Sequence, residues 1–278
     1  MRAGAARNDK AGRGVSRVVE GPDPEVVVSS IVVGLLIFGS VFGGSLLGMW
    51  LRTRLPEHHV TGESKDVVKL GMGLVGTMTA LVLGLLVASA KSSYDTQKAE
   101  ISQMAAKVIW LDRILERFEP SSHEARLRLS TGVDTMIGRM WPEDRSQGSH
   151  PEPPSSGVET VYGTLLKLTP ENDEQRRLMS EAEKVALDLQ QARWLLYEQS
   201  GRSVSVPLLL IVTIWLTLTF LSYGLFAPLN LTVGLTLFVS SLSVAGALFL
   251  VLELDRPFDG IIRIPNTPML VAKQQLLH

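Results

Sequence analysis

Three carboxylates, Glu253, Asp255 and Asp259, fall within the run Glu253-Leu254-Asp255-Arg256-Pro257-Phe258-Asp259-Gly260. Oxygen donors at that density, beside a proline bend and a glycine, are the donor type a hard cation such as calcium takes. The spacing matches no EF-hand loop, so a helix end with interfacial charges and a local Asp–Arg pair is the competing reading, and the spacing favours it. A second motif, Gly71-Met72-Gly73-Leu74-Val75-Gly76, has the G-x-G-x-x-G form, with Asp95 further on. A dinucleotide site needs this motif to leave a strand and open a helix within a βαβ unit. Here it lies inside a long apolar run with no parallel-sheet pattern around it, and is read as coincidence. The chain has no cysteine, which excludes disulfides, thiol catalysis, iron–sulfur ligation and cysteine zinc sites. Of its 5 histidines only His58 and His59 are adjacent, and the set has no metal-ligand spacing. No nucleophile–base pair or phosphate loop emerges, so no enzyme is expected.

Small residues carry the other signal. Gly76, Ala80, Gly84, Ala88 and Ser92 recur every fourth position. On a helix this spacing puts them on one face, where another backbone or a pore axis can come close. Thr77, Leu81 and Leu85 form the flanking stripe. Gly39/Gly43 and Gly44/Gly48 are GxxxG pairs. They read either as tight helix–helix contacts or as the ordinary tolerance of membrane helices for glycine. Ionisable groups inside the apolar runs are almost missing: Lys69 lies near one edge, Glu253 and Asp255 at another. Proton relays and coupled transporters place such groups mid-membrane. Their scarcity speaks against a proton-driven transporter and permits a passive pore gated by an apolar constriction, or no pore at all.

Long helices must position these residues. The chain has 278 residues, a mean hydropathy of +0.19 and 20% charged residues, so uncharged runs balance charged ones. The net charge of −1 gives no global field, and no nucleic-acid partner is expected. Residues 1–25 are Gly- and Arg-rich and read as a disordered basic tail. A cleaved secretory signal is not expected, because the following apolar run is too long. Residues 26–51 form a first membrane span, with Trp50 as an interfacial anchor, and 52–66 a polar loop. Residues 67–90 form the second span. No proline occurs between Pro56 and Pro120, so that helix is free to run on through the charged stretch 91–118.

Residues 91–203 read as a cytoplasmic helical domain inserted between spans two and three. Within it, Pro120-Ser121-Ser122 reads as a stop followed by an N-cap, and Leu129, Val133, Met136, Ile137 and Met140 as one apolar stripe. Residues 142–157 have loop composition, and Thr169-Pro170 reads as the cap of another helix. Leu178, Ala182, Val185, Leu189, Ala192 and Leu196 make a short heptad seam, best read as packing within a local bundle. Residues 204–226 form the third span and 229–252 the fourth, an antiparallel hairpin across Ala227-Pro228-Leu229-Asn230, followed by a C-terminal segment, 253–278. No stretch alternates with period two. The fold class is therefore an all-α membrane protein with four transmembrane helices. The N-terminal tail and Arg256, Arg263 and Lys273 place both termini and the central domain in the cytoplasm of a multi-pass cell (inner) membrane protein, although Arg52, Arg54 and Lys65 in the first loop run against this.

Four stretches together resemble a bacterial membrane family, the bestrophin-like domain family: Leu83-Gly84-Leu85-Leu86-Val87-Ala88-Ser89-Ala90-Lys91-Ser92-Ser93-Tyr94-Asp95-Thr96-Gln97, Arg193-Trp194-Leu195-Leu196-Tyr197-Glu198-Gln199, Gly224-Leu225-Phe226-Ala227-Pro228, and Leu252-Glu253-Leu254-Asp255-Arg256-Pro257-Phe258. The resemblance covers residues 26–270. It implies a homo-oligomeric ion channel in the lipid bilayer, a pentamer, conducting inorganic ions, with the second span lining the pore either through the ridge Gly76, Ala80, Gly84 and Ala88 or through its flank Thr77, Leu81 and Leu85. It also aligns Glu253, Asp255, Pro257 and Phe258 with the calcium-sensing segment of bestrophins, while the long acidic cluster of the eukaryotic calcium site is absent. The alternative is a non-conducting membrane scaffold or sensor whose seam at 178–196 binds a partner or a neighbouring subunit.

Overall fold

The computed structural model describes residues 30–55, 62–142, 158–199, 205–259 and 261–276. The basic tail, most of the loop at 142–157, and Gly260 lie outside the described residues. All regular structure among the described residues is helical. The helices are α1 (Ser30–Arg54), α2 (Gly62–Glu116), α3 (His123–Met140), α4 (Val158–Leu165), α5 (Asp173–Gln199), α6 (Val206–Phe226), α7 (Leu231–Leu254) and α8 (Thr267–Leu276). Four of them, α1, α2, α6 and α7, are long and apolar enough to cross a membrane.

Helix α2 is a single element of 55 residues, unbroken through Lys91. At 1.5 Å per residue it is about 80 Å long, far more than a bilayer needs, so it projects into water. It ends before Pro120, and the chain turns there. Ser122 stands at the N-cap position of α3 but does not cap it. Its buried hydroxyl instead donates to the Leu115 carbonyl at 2.6 Å and ties the turn back to α2. The Thr169-Pro170 cap is also corrected. Helix α5 starts later, at Asp173. There Asn172 Oδ1 accepts from Gln175 N at 2.8 Å, and Gln175 Oε1 accepts from Glu171 N at 2.7 Å. This pair satisfies two amides at the helix start and sets the cap at Asn172 rather than at Thr169.

In the apolar bundle α1 is the centre. It packs extensively on α6 and on α7, whereas α6 and α7 barely touch each other despite their short connection. The hairpin is therefore splayed around α1. Phe38 and Phe42 of α1 enclose Phe238 of α7 edge-on at 5.5 and 5.4 Å. Such aromatic geometry adds to the area buried. Arg52, at the end of α1, donates to the Ala227 carbonyl beyond α6, where a cation meets the negative end of the helix dipole.

The polar half of α2 carries the second core. Ile101, Met104, Val108, Leu111 and Leu115 recur at steps of three and four, and α3, α5 and α8 pack on this half of the helix. Met179, Ala182, Ala186, Leu189 and Leu196 of α5 are buried, while Leu178, Val185 and Ala192 pack half-buried against the same core. The α5 seam is thus used within the chain. Arg126 of α3 grips Asp112 of α2 with two bonds, at 2.7 and 3.1 Å, and reaches Glu119 at 3.2 Å. The hydrogen bond to Asp112 holds the Arg126 guanidinium above its ordinary pKa against the opposing effect of burial. Arg193 of α5 shows the opposite: burial, then the charge of Arg139, pushes it down. Helix α8 returns to α2 and α3, and Lys273 pairs with Asp134 at 2.7 Å.

Candidate functional site

Within one chain the membrane half of α2 is the barest of the four apolar helices. Of its most apolar stretch 11% is buried, against 33%, 33% and 28% in α1, α6 and α7. Its covered side is narrow: Thr79, Leu86 and Ala90 are buried and turn toward the rest of the bundle. On the other side Ala80, Gly84, Ala88 and Ser92 are exposed, with Gly76 half-buried at the margin. A methyl group added at Gly76 or Gly84 would meet nothing within 4 Å. The flank is equally open: Thr77 is exposed, Leu81 is 75% exposed and Leu85 66%. Thr77 and Thr79 bond to carbonyls of the preceding turn, at 2.8 and 2.7 Å, so their hydroxyls are already occupied.

All the residues assigned to a pore face therefore lie on the side of α2 that the chain itself leaves uncovered or at its margin. Two kinds of surface can meet such a face in a bilayer: lipid, or further copies of the chain around an aqueous axis. A stripe of hydrogen and methyl side chains lets backbones approach closely and leaves room at an axis. The face bears no charge, and its large apolar members are Leu81 and Leu85.

The four glycines of the two GxxxG pairs on α1 separate into two kinds. A methyl group at Gly44 would stand 2.9 Å from Thr217 Cγ2 and 3.0 Å from Thr217 O. At Gly48 it would overlap the Leu221 carbonyl oxygen and come 2.9 Å from Leu225 N. At Gly39 or Gly43 it would meet nothing within 4 Å. Sequence reasoning missed the partner on α6, Gly224, where a methyl group would overlap the Ser45 carbonyl oxygen and approach Met49 N to 3.1 Å. Gly224 opens one of the stretches that carry the family resemblance, but nothing in its spacing marks it as the counterpart of Gly48.

The acidic segment after α7 behaves as a strap. Glu253 is only 3% exposed, and its carboxylate accepts from the Ile261 backbone N–H across the turn. Asp255 and Asp259 are engaged elsewhere. No group of three or more His, Asp or Glu side chains converges among the described residues, and Glu253, Asp255 and Asp259 form no such group. The strap is held from outside as well. Tyr94 Oη donates to the Arg263 carbonyl at 3.1 Å, and Trp141 Nε1 to the Ile264 carbonyl at 2.9 Å. Trp141 stands edge-on to buried Phe258, with centroids 5.8 Å apart. Trp141 carried no sequence signal, because its partners lie more than a hundred residues away along the chain.

Comparison with known proteins agrees with this architecture. A point variant of a bacterial bestrophin homologue from Klebsiella pneumoniae superposes with a TM-score of 0.62 at 16% identity, covering 90% of this chain and 98% of that one. Another variant of a bestrophin homologue from Klebsiella pneumoniae gives 0.64 at 16% identity, covering 90% and 97%. A variant described only as a membrane protein gives 0.63 at 17% identity, covering 87% and 97%. At these identities the likeness establishes a shared fold. No curated protein matches the chain. The bestrophin-like domain model matches residues 39–269, most of the chain, and the protein belongs to the bestrophin-like domain family.

Proposed function

We propose that several copies of this chain assemble in the cell membrane into an ion-conducting pore lined by the uncovered face of α2. The observation that carries this reading is the bareness of α2, whose most apolar stretch is 11% buried where those of the other apolar helices are about a third buried, together with the small residues along its uncovered face. Family membership supports a channel-type role, and the resemblance suggests a pentamer. Helix α8 packs on α2 and α3, so the C-terminal segment and the polar half of α2 share one end of the bundle. The positive-inside rule makes that end cytoplasmic. Arg52, the strongest counter-signal, is engaged with the Ala227 carbonyl, which gives it a structural reason to stand on the other side.

The rival scaffold reading drew its support from the α5 seam, and that seam packs within the chain, with Ala182, Leu189 and Leu196 buried and Leu178, Val185 and Ala192 half-buried. In the pore reading, Glu253 and its strap hold the polar domain to the end of α7. The test is ion flux into liposomes holding the purified protein, with Gly84→Trp as the blocked form. A methyl group added at Gly84 meets nothing within 4 Å in the single chain, so the substitution points from an uncovered position. Loss of flux in Gly84→Trp at unchanged oligomer size supports the proposal. A protein that purifies as a monomer, or conducts no ion, overturns it.

A further inference from the structure

The stripe on α2 does not stop where its apolar part stops. Gly84, Ala88, Lys91 and Asp95 follow one another at steps of four, three and four, which keeps them within a narrow sector of the helix. Lys91 and Asp95 are the first fixed charges on this stripe after the uncharged span. The chain leaves both uncovered, with side chains 56% and 54% exposed. They pair with each other across one helical turn, and the Lys91 ammonium also lies 5.5 Å from the centre of the Tyr94 ring. Tyr94 is buried and bonded to the Arg263 carbonyl, so this end of the stripe rests on a fixed support. Asp66 and Lys69 lie at the opposite end of the span. Lys98 follows about two turns beyond Lys91, also exposed.

We propose that the Lys91–Asp95 pair forms a balanced charged ring at the cytoplasmic mouth, in which each member offsets the other's preference for one sign of ion. This rests on the pore reading above. At 1.5 Å per residue, Lys91 and Asp95 stand about 5 and 10 Å beyond Ala88 along the axis. That is within a Debye length of about 8–10 Å at physiological ionic strength, so their field reaches the last residues of the apolar stretch. Each copy contributes a neutral pair, and the ring is balanced only while both members are present. A ring of charges of one sign in a narrow passage concentrates its counter-ion and excludes its co-ion. Removing the carboxylate leaves a ring of ammonium groups, and removing the ammonium leaves a ring of carboxylates.

The experiment measures the chloride-to-potassium permeability ratio from reversal potentials in planar bilayers under a KCl gradient. It compares the parent protein with Asp95→Asn, Lys91→Gln and, as a control distant from the stripe, Glu124→Gln on exposed α3. Asp95→Asn raises the ratio at least about threefold and Lys91→Gln lowers it by a similar factor. Glu124→Gln leaves it unchanged. Conducting variants whose ratio equals the parent's overturn this inference and leave the pore standing. A shift of the same sign in both variants also overturns it, since it would report a broken helix contact rather than a lost charge. A parent protein that does not conduct overturns the pore reading, and this inference with it.

Discussion

Replacing Gly44 and Gly48 together by alanine tests the α1–α6 packing at its tightest point. The added methyl groups would stand 2.9 Å from Thr217 Cγ2 and 3.0 Å from Thr217 O at one site, and overlap the Leu221 carbonyl at the other. The atoms in the way are mostly backbone, so they have no rotamer by which to escape, and the two helices must separate. Such overpacking costs about 1–3 kcal/mol per site. Alanine in a helix interior returns up to about 1 kcal/mol relative to glycine. At the middle of these ranges the double variant loses about 3 kcal/mol net, roughly 6–12 °C in Tm for a chain of this size. The control is Gly39→Ala with Gly43→Ala, where a methyl group meets nothing within 4 Å. That pair should hold or slightly raise Tm through helix propensity. The assay is thermal unfolding in detergent, followed by circular dichroism at 222 nm. Equal stability of the two double variants, or a larger loss in the Gly39/Gly43 pair, would refute the assignment of Gly44 and Gly48 to the α6 contact.

Three further outcomes follow from the polar half. Arg126→Met strands the buried Asp112 carboxylate and should lower stability by about 3 kcal/mol, seen as a lower unfolding midpoint. Arg193→Met should leave stability unchanged or raise it, because burial and the Arg139 charge already disfavour the Arg193 charge; a clear loss in Tm would contradict this. Glu253→Ala leaves the Ile261 amide without its acceptor and should cost about 1–3 kcal/mol, with protease cutting after the strap arginines as a sensitive readout. Calorimetric titration with calcium should then give the same signal for the parent and for Glu253→Ala, since the donor set does not converge.

How far the sequence could be read depended on whether the information was local. The sequence permitted a continuous α2, since the chain has no proline from 57 to 119, but did not decide whether the helix runs on through Lys91; the helices that pack on its polar half are not legible from local spacing. The two GxxxG pairs were ambiguous for a geometric reason. Gly39 and Gly44 are five positions apart, which is about 140° around a helix, so only one pair can face a given neighbour. Which one does depends on Gly224, far along the chain. The period-four ridge on α2 announced a close approach but not its occupant, since burial in the chain and exposure to a second copy ask for the same small residues. Glu253 looked like a ligand by composition. Its actual partner, the Ile261 amide, is set by the fold-back of the segment after α7, which Trp141 and Tyr94 hold from other helices. The splaying of α6 and α7 was hidden because a four-residue turn fixes only their antiparallel sense, while the aromatic and glycine contacts of α1 decide their distance.

The protein has no cysteine, so single cysteines introduced on α2 report without background. The most direct measurement is liposome ion flux before and after a charged methanethiosulfonate reagent, for Gly84→Cys and Ala88→Cys on the bare face and for Leu235→Cys on the exposed side of α7. The account predicts that modification at Gly84→Cys and Ala88→Cys cuts the flux, while Leu235→Cys conducts as before. Flux that survives modification at both α2 sites, or that falls only in Leu235→Cys, would contradict a pore lined by α2.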